Sequence, residues 1–199
     1  IQPSIDIDNH KPVSIQKKIE LRNKYRINKN TKLISFVGNI CYRKGFDLLL
    51  KAFFILKEKN QNIMLFAAGP IDLQFAHFTK QNLDGVRFTN KNVKNVHEVI
   101  QMSDVLVLPS RNEAFGVVIG EAMASKVPVV VSKINGVTDH IIGNDRGILV
   151  NYCPKSIALG IEKAINFHDE QMLVNAYNYI LENCSRTKVD DQYLKMWFF

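Results

Sequence analysis

The stretch Val105-Leu-Val-Leu-Pro-Ser-Arg-Asn-Glu-Ala-Phe-Gly-Val-Val-Ile-Gly-Glu121 predicts a buried strand, a turn and a helix, in that order. A helix that follows a strand in this way presents free backbone N–H groups at its start, and such groups bind phosphate. Glu113 lies in the loop before the predicted helix and Glu121 lies two helical turns further on, and their carboxylates can accept hydrogen bonds from hydroxyls. Eight residues of helix rise roughly 12 Å, which is about the reach from the sugar of a nucleotide sugar to its ribose. The stretch therefore predicts a site for a sugar nucleotide.

The rest of the chain surrounds this unit with the pattern of an α/β protein, because short apolar runs alternate with amphipathic stretches. The apolar runs predict strands at Lys32–Val37, Asn62–Ala67, Gly85–Phe88, Asp104–Leu108, Val127–Val131 and Gly147–Val150. Helices are predicted at Ile15–Tyr25, Phe46–Lys59, Leu73–Asn82, Val96–Gln101, Phe115–Ser125 and Val137–Ile142. Such an alternation gives a Rossmann-like parallel sheet with helices on both faces, and its ligands bind at the carboxyl ends of the strands.

The alternation stops after Val150, where three consecutive helices are predicted at Pro154–Phe167, Glu170–Asn183 and Thr187–Phe198. The fold class is therefore α/β, with about six parallel strands and a helical C-terminal tail. We divide the chain into a linker and basic helix over residues 1–31, a Rossmann-like domain over residues 32–183 and a final helix over residues 184–199.

Composition and charge narrow the class of protein. The chain has 199 residues, of which 46% are hydrophobic, and this suits one globular domain with a terminal appendage. The net charge of +7 is local, because eight Lys or Arg residues and one acid lie between His10 and Lys32, while the remaining 18 basic and 18 acidic residues balance. This basic segment is either a solvated surface or a contact for anionic lipid headgroups at a membrane. No nucleic-acid-binding motif accompanies it, so nucleic acid is not an expected partner.

Three widely spaced cysteines, Cys41, Cys153 and Cys184, match no metal-binding pattern. Because no apolar run is long enough to span a bilayer and no secretory signal is evident, we expect reduced thiols and a cytoplasmic location. The five histidines are scattered, so no metal site is expected. The segment Asp6-Ile-Asp8 imitates a metal-binding Asp-x-Asp motif, but its position in the linker makes coincidence the better explanation.

Four stretches carry a family resemblance: Pro3-Ser-Ile-Asp6, Phe36-Val-Gly-Asn39 with Arg43-Lys-Gly45, Met102–Ser110, and Glu113–Val130. They resemble, in the same order, the "PNGvD" segment, the "fvGR…KG" donor loop, the "aDvfvlPS" strand and the paired-glutamate motif with "EAmAcGvPVV" of retaining GT-B glycosyltransferases of the group 1 family. The match covers nearly the whole chain. It implies the C-terminal, nucleotide-sugar-binding half of a GT-B enzyme, with the N-terminal acceptor domain missing.

The family's activity is then the expected one: transfer of a sugar from a nucleoside diphosphate sugar to an acceptor hydroxyl, in polysaccharide or glycolipid synthesis, without a cofactor or a required metal. By itself this chain would bind the donor and not transfer the sugar. The resemblance also implies that the last helix packs on the N-terminal domain, which would cover the aromatic end Trp197-Phe-Phe199.

The donor loop would contact the diphosphate. Gly38 lets the backbone approach the ligand, and Lys44 supplies a positive charge. In the family an Arg usually follows the glycine, whereas here the residue is Asn39, which has no charge, and Arg43 would restore part of what is lost. Gly69, at the end of the second strand, would border the same pocket.

The paired-glutamate motif would hold the sugar and the ribose. Glu113, the expected catalytic residue, would accept hydrogen bonds from sugar hydroxyls and favour positive charge at the reacting carbon. Phe115, Gly116 and Val117 would offer backbone amides, and Glu121 would accept both ribose hydroxyls. The base-binding loop of the family corresponds to Asn90, Lys91 and Val93, where a base pairs mostly with backbone groups. Both this segment and Gly69 have an ordinary surface loop as the alternative interpretation.

Each of these residues also has a simpler explanation. Lys44 can cap a loop, Glu113 can favour a helix N-terminus through the helix dipole, and Glu121 can be an exposed mid-helix residue. Departures from the family pattern are Lys126 in place of a glycine and the segment 135–139 in place of "GGvPE". Asn39 and the altered segment 135–139 slightly favour a second hypothesis, a non-catalytic nucleotide-binding or scaffold module derived from the same fold.

Overall fold

The computed structural model describes residues 3–79, 81, 83–113, 115–133, 142, 143, 145–166 and 169–198, and these form one six-stranded parallel sheet. The strands are β1 Lys32–Val37, β2 Ile63–Ala68, β3 Val86–Phe88, β4 Val105–Leu108, β5 Val129–Ser132 and β6 Ile148–Val150. Their order across the sheet is β3-β2-β1-β4-β5-β6, and every pairing is parallel. This arrangement confirms the predicted fold class.

The helices in the described ranges are α1 Ile15–Lys24, α2 Phe46–Lys59, α3 Ala76–Thr79, α4 Val96–Gln101, α5 Val117–Ala124, α6 Pro154–Asn166, α7 Glu170–Asn183 and α8 Arg186–Phe198. Helices α2 and α6 pack against each other, and α6 also lies on β4, β5 and β6. Helix α4 lies on β1 and α5 on β4 and β5, with α1 packed on α4 and α7 packed on α5. Helices thus cover both faces of the sheet, which explains why its central strands are apolar throughout.

The strand order reverses between β1 and β4, and this reversal positions a binding crevice. From β1 the chain moves through α2 to β2 on one side, whereas from β4 it moves through α5 to β5 on the other. The loops at the carboxyl ends of β1 and β4 therefore diverge and leave a crevice between them, where ligands of open α/β sheets bind.

Gly45, the residue before α2, fixes the spacing of these two loops. Its φ angle is +71°, and a Cβ atom there would lie 1.9 Å from the carbonyl oxygen of Pro109, which follows β4. Only glycine tolerates both the backbone conformation and the close approach. The donor loop after β1 is consequently held against the loop after β4.

The basic helix α1 is fixed to the domain by buried charge. Asp104 accepts from Lys18 Nζ at 2.8 Å and from Arg22 Nη2 at 2.7 Å, and Arg22 also donates to the backbone oxygen of Met102 at 2.9 Å. Burial disfavours ionisation of Asp104, but the two cations outweigh it and hold the pKa of Asp104 below its usual value. The segment 1–31 is thus partly a packed element of the domain as well as a linker.

Ion pairs inside the chain also use part of the charge of the basic segment. Within the described part of the chain, four of its eight basic side chains have an acidic partner: Lys17, Lys18, Arg22 and Lys24. At the other end of the chain, large apolar side chains of α8 are exposed, namely Tyr193, Leu194, Met196 and Trp197. None of the helices in the described ranges combines the length and the apolarity that a bilayer crossing requires.

The predicted elements agree with the structure except in one place. All six strands lie within two residues of their predicted bounds, and the three terminal helices are found. The helix predicted at Leu73–Asn82 is confirmed only in part: a 3₁₀ turn at Leu73–Phe75 precedes the four-residue α3, so the segment is not one regular α-helix. The ring of Phe75, the last residue of this turn, packs against that of Phe78 in α3, with the ring centroids 5.6 Å apart. Asn82 and most of the helix predicted at Val137–Ile142 lie outside the described residues.

Candidate functional site

The loops that leave the carboxyl ends of β1 to β4 form the candidate site. Two of them are joined by backbone pairing, since the N–H of Ile40 donates to the carbonyl of Pro70 at 2.9 Å and the N–H of Gly38 donates to that of Ala68 at 2.9 Å. Gly38 and Gly69, predicted from different motifs, therefore lie side by side. Asn39, between the paired residues, is exposed to solvent.

Lys44 and Glu113 form an ion pair across the crevice between β1 and β4. Their side chains are only 15% and 9% exposed, so the pair is largely shielded from water. The hydroxyl of Ser110, at the end of β4, also lies 3.3 Å from Glu113 Oε2. The sequence predicted both charged residues as ligand contacts but not their pairing, which brings a cation and an anion together at the reversal of strand order.

The start of α5 lies directly beside this pair. Gly116 is the N-cap residue, has a φ angle of +69° and provides no side chain to accept from the first amides of the helix. The position that a Cβ of Gly116 would occupy is 3.3 Å from Glu113 Cγ. Val117, the first helical residue, is exposed, and Phe115 packs on the core. The helix amides, Glu113 and Lys44 thus border one volume.

Arg43 lies beside the loop after β4, and its contact with the diphosphate stays a prediction. It is exposed, and its Nη1 contacts the carbonyl of Asn112 at 3.4 Å. The better-held guanidinium is that of Arg111, which makes a bidentate ion pair with Asp47 at 2.7 and 2.8 Å. Hydrogen bonding to Asp47 raises the pKa of Arg111. Arg111 therefore braces the loop after β4 against α2, a role the sequence left open.

The predicted base-binding loop is linked to the diphosphate side through Thr89. Its hydroxyl accepts from the N–H of Gly69 at 3.0 Å and donates to the carbonyl of Lys91 at 3.1 Å. Asn90 and Lys91 are exposed, whereas Val93 packs on the core and anchors the loop. Thr89 was not predicted, because a single threonine after a strand carries no motif.

Glu121 lies at the C-terminal half of α5 and is 21% exposed. Its Oε1 is 3.5 Å from Nε2 of His10, a residue of the segment before α1. Burial raises the pKa of Glu121, and the negative charge of Asp6 raises it further. Burial likewise lowers the pKa of His10 to about 4, with a contribution from the neighbouring His97, so the imidazole is neutral at pH 7. The contact is therefore between a carboxylate and a neutral ring.

A family model described as "Glycosyl transferases group 1" matches residues 17–180, which include all of the strands and loops described above. The chain belongs to the group 1 glycosyl transferase family. The match extends from within the basic helix α1 to the last turn of α7 and contains every predicted site residue, whereas His10 lies before it.

Relatives in this family cover most of the chain but less than half of their own length. An uncharacterised glycosyltransferase of Methanocaldococcus jannaschii is 31% identical over 161 residues, which are 77% of this chain and 41% of that protein. The capsular polysaccharide biosynthesis glycosyltransferase CapM of Staphylococcus aureus is 31% identical over 67% of this chain and 37% of its own. An N-acetyl-alpha-D-glucosaminyl L-malate synthase of Bacillus anthracis is 29% identical over 90% of this chain and 48% of its own.

Solved glycosyltransferases share the fold at lower identity. One from Rickettsia africae superposes on 99% of this chain and 55% of its own with a TM-score of 0.85 at 20% identity. HepE of Anabaena, solved in complex with UDP and glucose, gives a TM-score of 0.84 at 19% identity over 98% of this chain and 55% of its own. These likenesses establish the architecture, a Rossmann-like α/β fold shared with glycosyltransferases, and not the ligand of this chain.

The structure also contains a cavity away from the predicted site residues. It has a volume of about 320 Å³, lies at the amino ends of β1, β4 and β5, and none of those residues lines it. Within the described ranges no group of three His, Cys, Asp or Glu side chains is arranged to hold a metal ion. The expectation that donor binding needs no metal stays a prediction.

Proposed function

We propose that this chain binds the nucleotide-sugar donor of a glycosyltransferase that moves a sugar from a nucleoside diphosphate to a hydroxyl of an acceptor. The observation that carries the proposal is the Lys44–Glu113 pair, which faces the start of α5 across the crevice between β1 and β4. A cation beside uncapped helix amides suits a diphosphate, and a carboxylate beside both suits the attached sugar.

The proposed chemistry is electrostatic. Lys44 and the amides at Val117 would stabilise the charge that builds up on the departing diphosphate. Glu113 would accept from sugar hydroxyls and favour positive charge at the carbon that loses the phosphate. Glu121, with two acceptor oxygens, would hold the two hydroxyls of the ribose. The loops at Gly69 and Asn90 would border the phosphates and the base.

Three finer features belong to the same proposal. We propose that transfer retains the configuration of the sugar, that the product is a polysaccharide or glycolipid, and that a further domain supplies the acceptor. The name of the CapM relative supports a polysaccharide product. Anionic lipid would be attracted by the basic residues of the segment 10–32 to which the described residues bring no acidic partner, namely Lys11, Arg26, Lys29 and Lys32. Such a contact would place the enzyme at the cytoplasmic face of a membrane. A non-catalytic module would bind nucleotide without transfer, and the comparisons do not favour it.

Calorimetric titration of the chain with UDP, GDP, ADP and inorganic pyrophosphate tests the proposal. One nucleoside diphosphate should bind more tightly than the others, and Lys44→Ala should weaken it at least roughly tenfold, the effect of losing a charge-assisted hydrogen bond. Lys51→Ala, which removes an exposed lysine from α2, is the matched control and should bind like the wild-type chain. Equal binding by all three proteins, or no nucleotide binding at all, would refute the proposed function.

The retained configuration has its own test. The chain would be joined to an N-terminal acceptor domain of a close relative, and the anomeric configuration of the transferred sugar would be read by NMR. An inverted product would contradict the proposed stereochemistry while leaving donor binding unaffected.

A further inference from the structure

His10 occupies an unusual position for a polar residue. It is 6% exposed, and its Nδ1 is, among the residues the structure describes, the one buried side-chain nitrogen or oxygen with no hydrogen-bond partner. Buried polar groups are normally paired, and an unpaired one calls for an explanation. Nothing in the sequence motifs pointed to His10, because it follows the "PSID" segment and belongs to no family pattern quoted above.

The backbone around His10 is clamped from two sides. Gln101, the last residue of α4, donates to the carbonyls of Asn9 at 3.1 Å and Lys11 at 2.9 Å. Ser125, just after α5, donates to the carbonyl of His10 itself at 3.2 Å. The imidazole is therefore held at a fixed place beside α5.

Close packing keeps the same segment against α5. A Cβ on Gly120 would lie 2.9 Å from Cδ1 of Ile5, which is 1% exposed, so the absence of a side chain at Gly120 allows the segment to approach. The next residue along α5 is Glu121. The tight contact of Ile5 with Gly120 and the hydrogen-bonded backbone around His10 thus hold the N-terminal segment next to the carboxylate of Glu121.

The proton of the neutral imidazole has one favourable location. On Nε2 it sits on the nitrogen that lies 3.5 Å from Glu121 Oε1, and it leaves on Nδ1 an unused lone pair. On Nδ1 it would leave a buried N–H without an acceptor, which is the rarer and costlier arrangement. A separation of 3.5 Å is longer than a strong hydrogen bond, so the ring orients the carboxylate without saturating it.

We propose that His10 is a positioning residue for Glu121: its buried imidazole holds the carboxylate in the orientation that accepts the ribose hydroxyls of a nucleoside diphosphate. This inference rests on the proposed function. It assigns the segment before α1 a part in donor recognition, because displacement of residues 5–10 from α5 would remove the support of Glu121 and weaken the grip on ribose.

A double-mutant cycle with a ligand that lacks ribose tests this role. UDP and inorganic pyrophosphate are titrated by calorimetry into the wild-type chain, His10→Phe, Glu121→Gln and the double variant. We expect His10→Phe to weaken UDP roughly fivefold to tenfold, the scale of one hydrogen bond, and to leave pyrophosphate binding unchanged. In the Glu121→Gln background the same substitution should have no further effect, since coupled residues are not additive.

Two amide variants keep the test valid if phenylalanine disturbs folding. His10→Gln can place an N–H near the Nε2 position and should restore UDP binding, whereas His10→Asn reaches only the Nδ1 position and should not. His77→Phe, a substitution of an exposed histidine on α3, is the matched control, and thermal unfolding of every variant monitors the fold.

The outcomes separate the two proposals. If the wild type binds UDP and His10→Phe binds it equally well, the role of His10 is overturned but the proposed function is not. The same holds if His10→Phe weakens UDP and pyrophosphate equally. An additive loss in the Glu121→Gln background would also overturn it. A wild-type chain that binds no nucleoside diphosphate would refute the proposed function and this role with it.

Discussion

Replacing Glu113 by glutamine should tighten the binding of UDP rather than weaken it. In the free chain Glu113 neutralises Lys44, and both side chains are at least 85% buried. A diphosphate must compete with this carboxylate for the ammonium group. Glu113→Gln keeps the shape and volume of the side chain but removes its charge, so Lys44 becomes available to the phosphate.

The size of the effect follows from the burial of the pair. Two unit charges 4 Å apart attract by about 4 kcal/mol at the effective dielectric constant of a protein. Exposed pairs contribute about 1 kcal/mol or less, and the loss of one partner of a buried pair costs about 3–5 kcal/mol. If binding of the diphosphate gains about a third of the free energy quoted for a buried pair, the affinity for UDP rises roughly tenfold. A sugar-bearing donor such as UDP-glucose should gain less, because Glu113 would no longer bind the sugar hydroxyls.

Calorimetric titration of UDP and UDP-glucose into wild-type and Glu113→Gln chains measures both effects. Glu98→Gln is the matched control, because Glu98 makes a comparable ion pair with Lys24 on the surface of α1 and α4. Its UDP affinity should equal that of the wild type. An unchanged or weaker UDP affinity for Glu113→Gln would show that Glu113 does not compete for Lys44, and the electrostatic description of the site would be wrong.

Three further predictions concern stability and the geometry of the loops. Asp104→Asn removes the only carboxylate that the described residues place beside Arg22, whose side chain is 6% exposed. The free energy of unfolding measured in urea should therefore fall by about 3–5 kcal/mol. A loss below about 1 kcal/mol would contradict the conclusion that this ion pair fixes α1 to the domain. The pKa of His10 is near 6.5 in the unfolded chain and about 4 in the folded chain, so the wild type should lose up to about 3 kcal/mol of stability as the pH falls between these values. Unfolding curves measured at pH 7 and pH 4.5 should show a smaller loss of stability for His10→Phe than for the wild type. Gly45→Ala forces a Cβ to 1.9 Å from the Pro109 carbonyl, so both the melting temperature and the affinity for UDP should fall; normal values for both would disprove the steric argument.

The fold could be predicted from the sequence because its signals are local. Each of the six strands is an apolar run, and the helices between them show their periodicity within a few turns. The prediction of one regular helix at Leu73–Asn82 was confirmed only in part, because the conformation there depends on contacts that are not local. Its residues are apolar enough for a helix, but the packing of Phe75 against Phe46 and Tyr42 favours a tighter turn. Such packing depends on residues far away in the chain, which local periodicity does not contain.

The candidate site was predictable as a set of positions and not as a set of contacts. Gly38, Lys44, Glu113 and Gly116 stand at strand ends, where motifs place them, and the structure brings them to one crevice. Arg43 shows the limit of this reasoning, because its exposed side chain turns to the carbonyl of Asn112 and Arg111 takes the better-held position. Adjacent residues in a loop point in different directions, and the choice between them is made by partners from other elements.

The sequence by itself determined which segments form strands and helices, the family, and the residue types that a nucleotide sugar would require, because these are properties of neighbouring residues. Only the tertiary structure decided that Lys44 and Glu113 neutralise each other, that Arg22 and Asp104 fix α1 to the sheet, and that His10 stands behind Glu121. Each of these pairs joins residues at least 69 positions apart. Their energies depend on burial and on distances of a few ångströms, which exist only after the chain has folded.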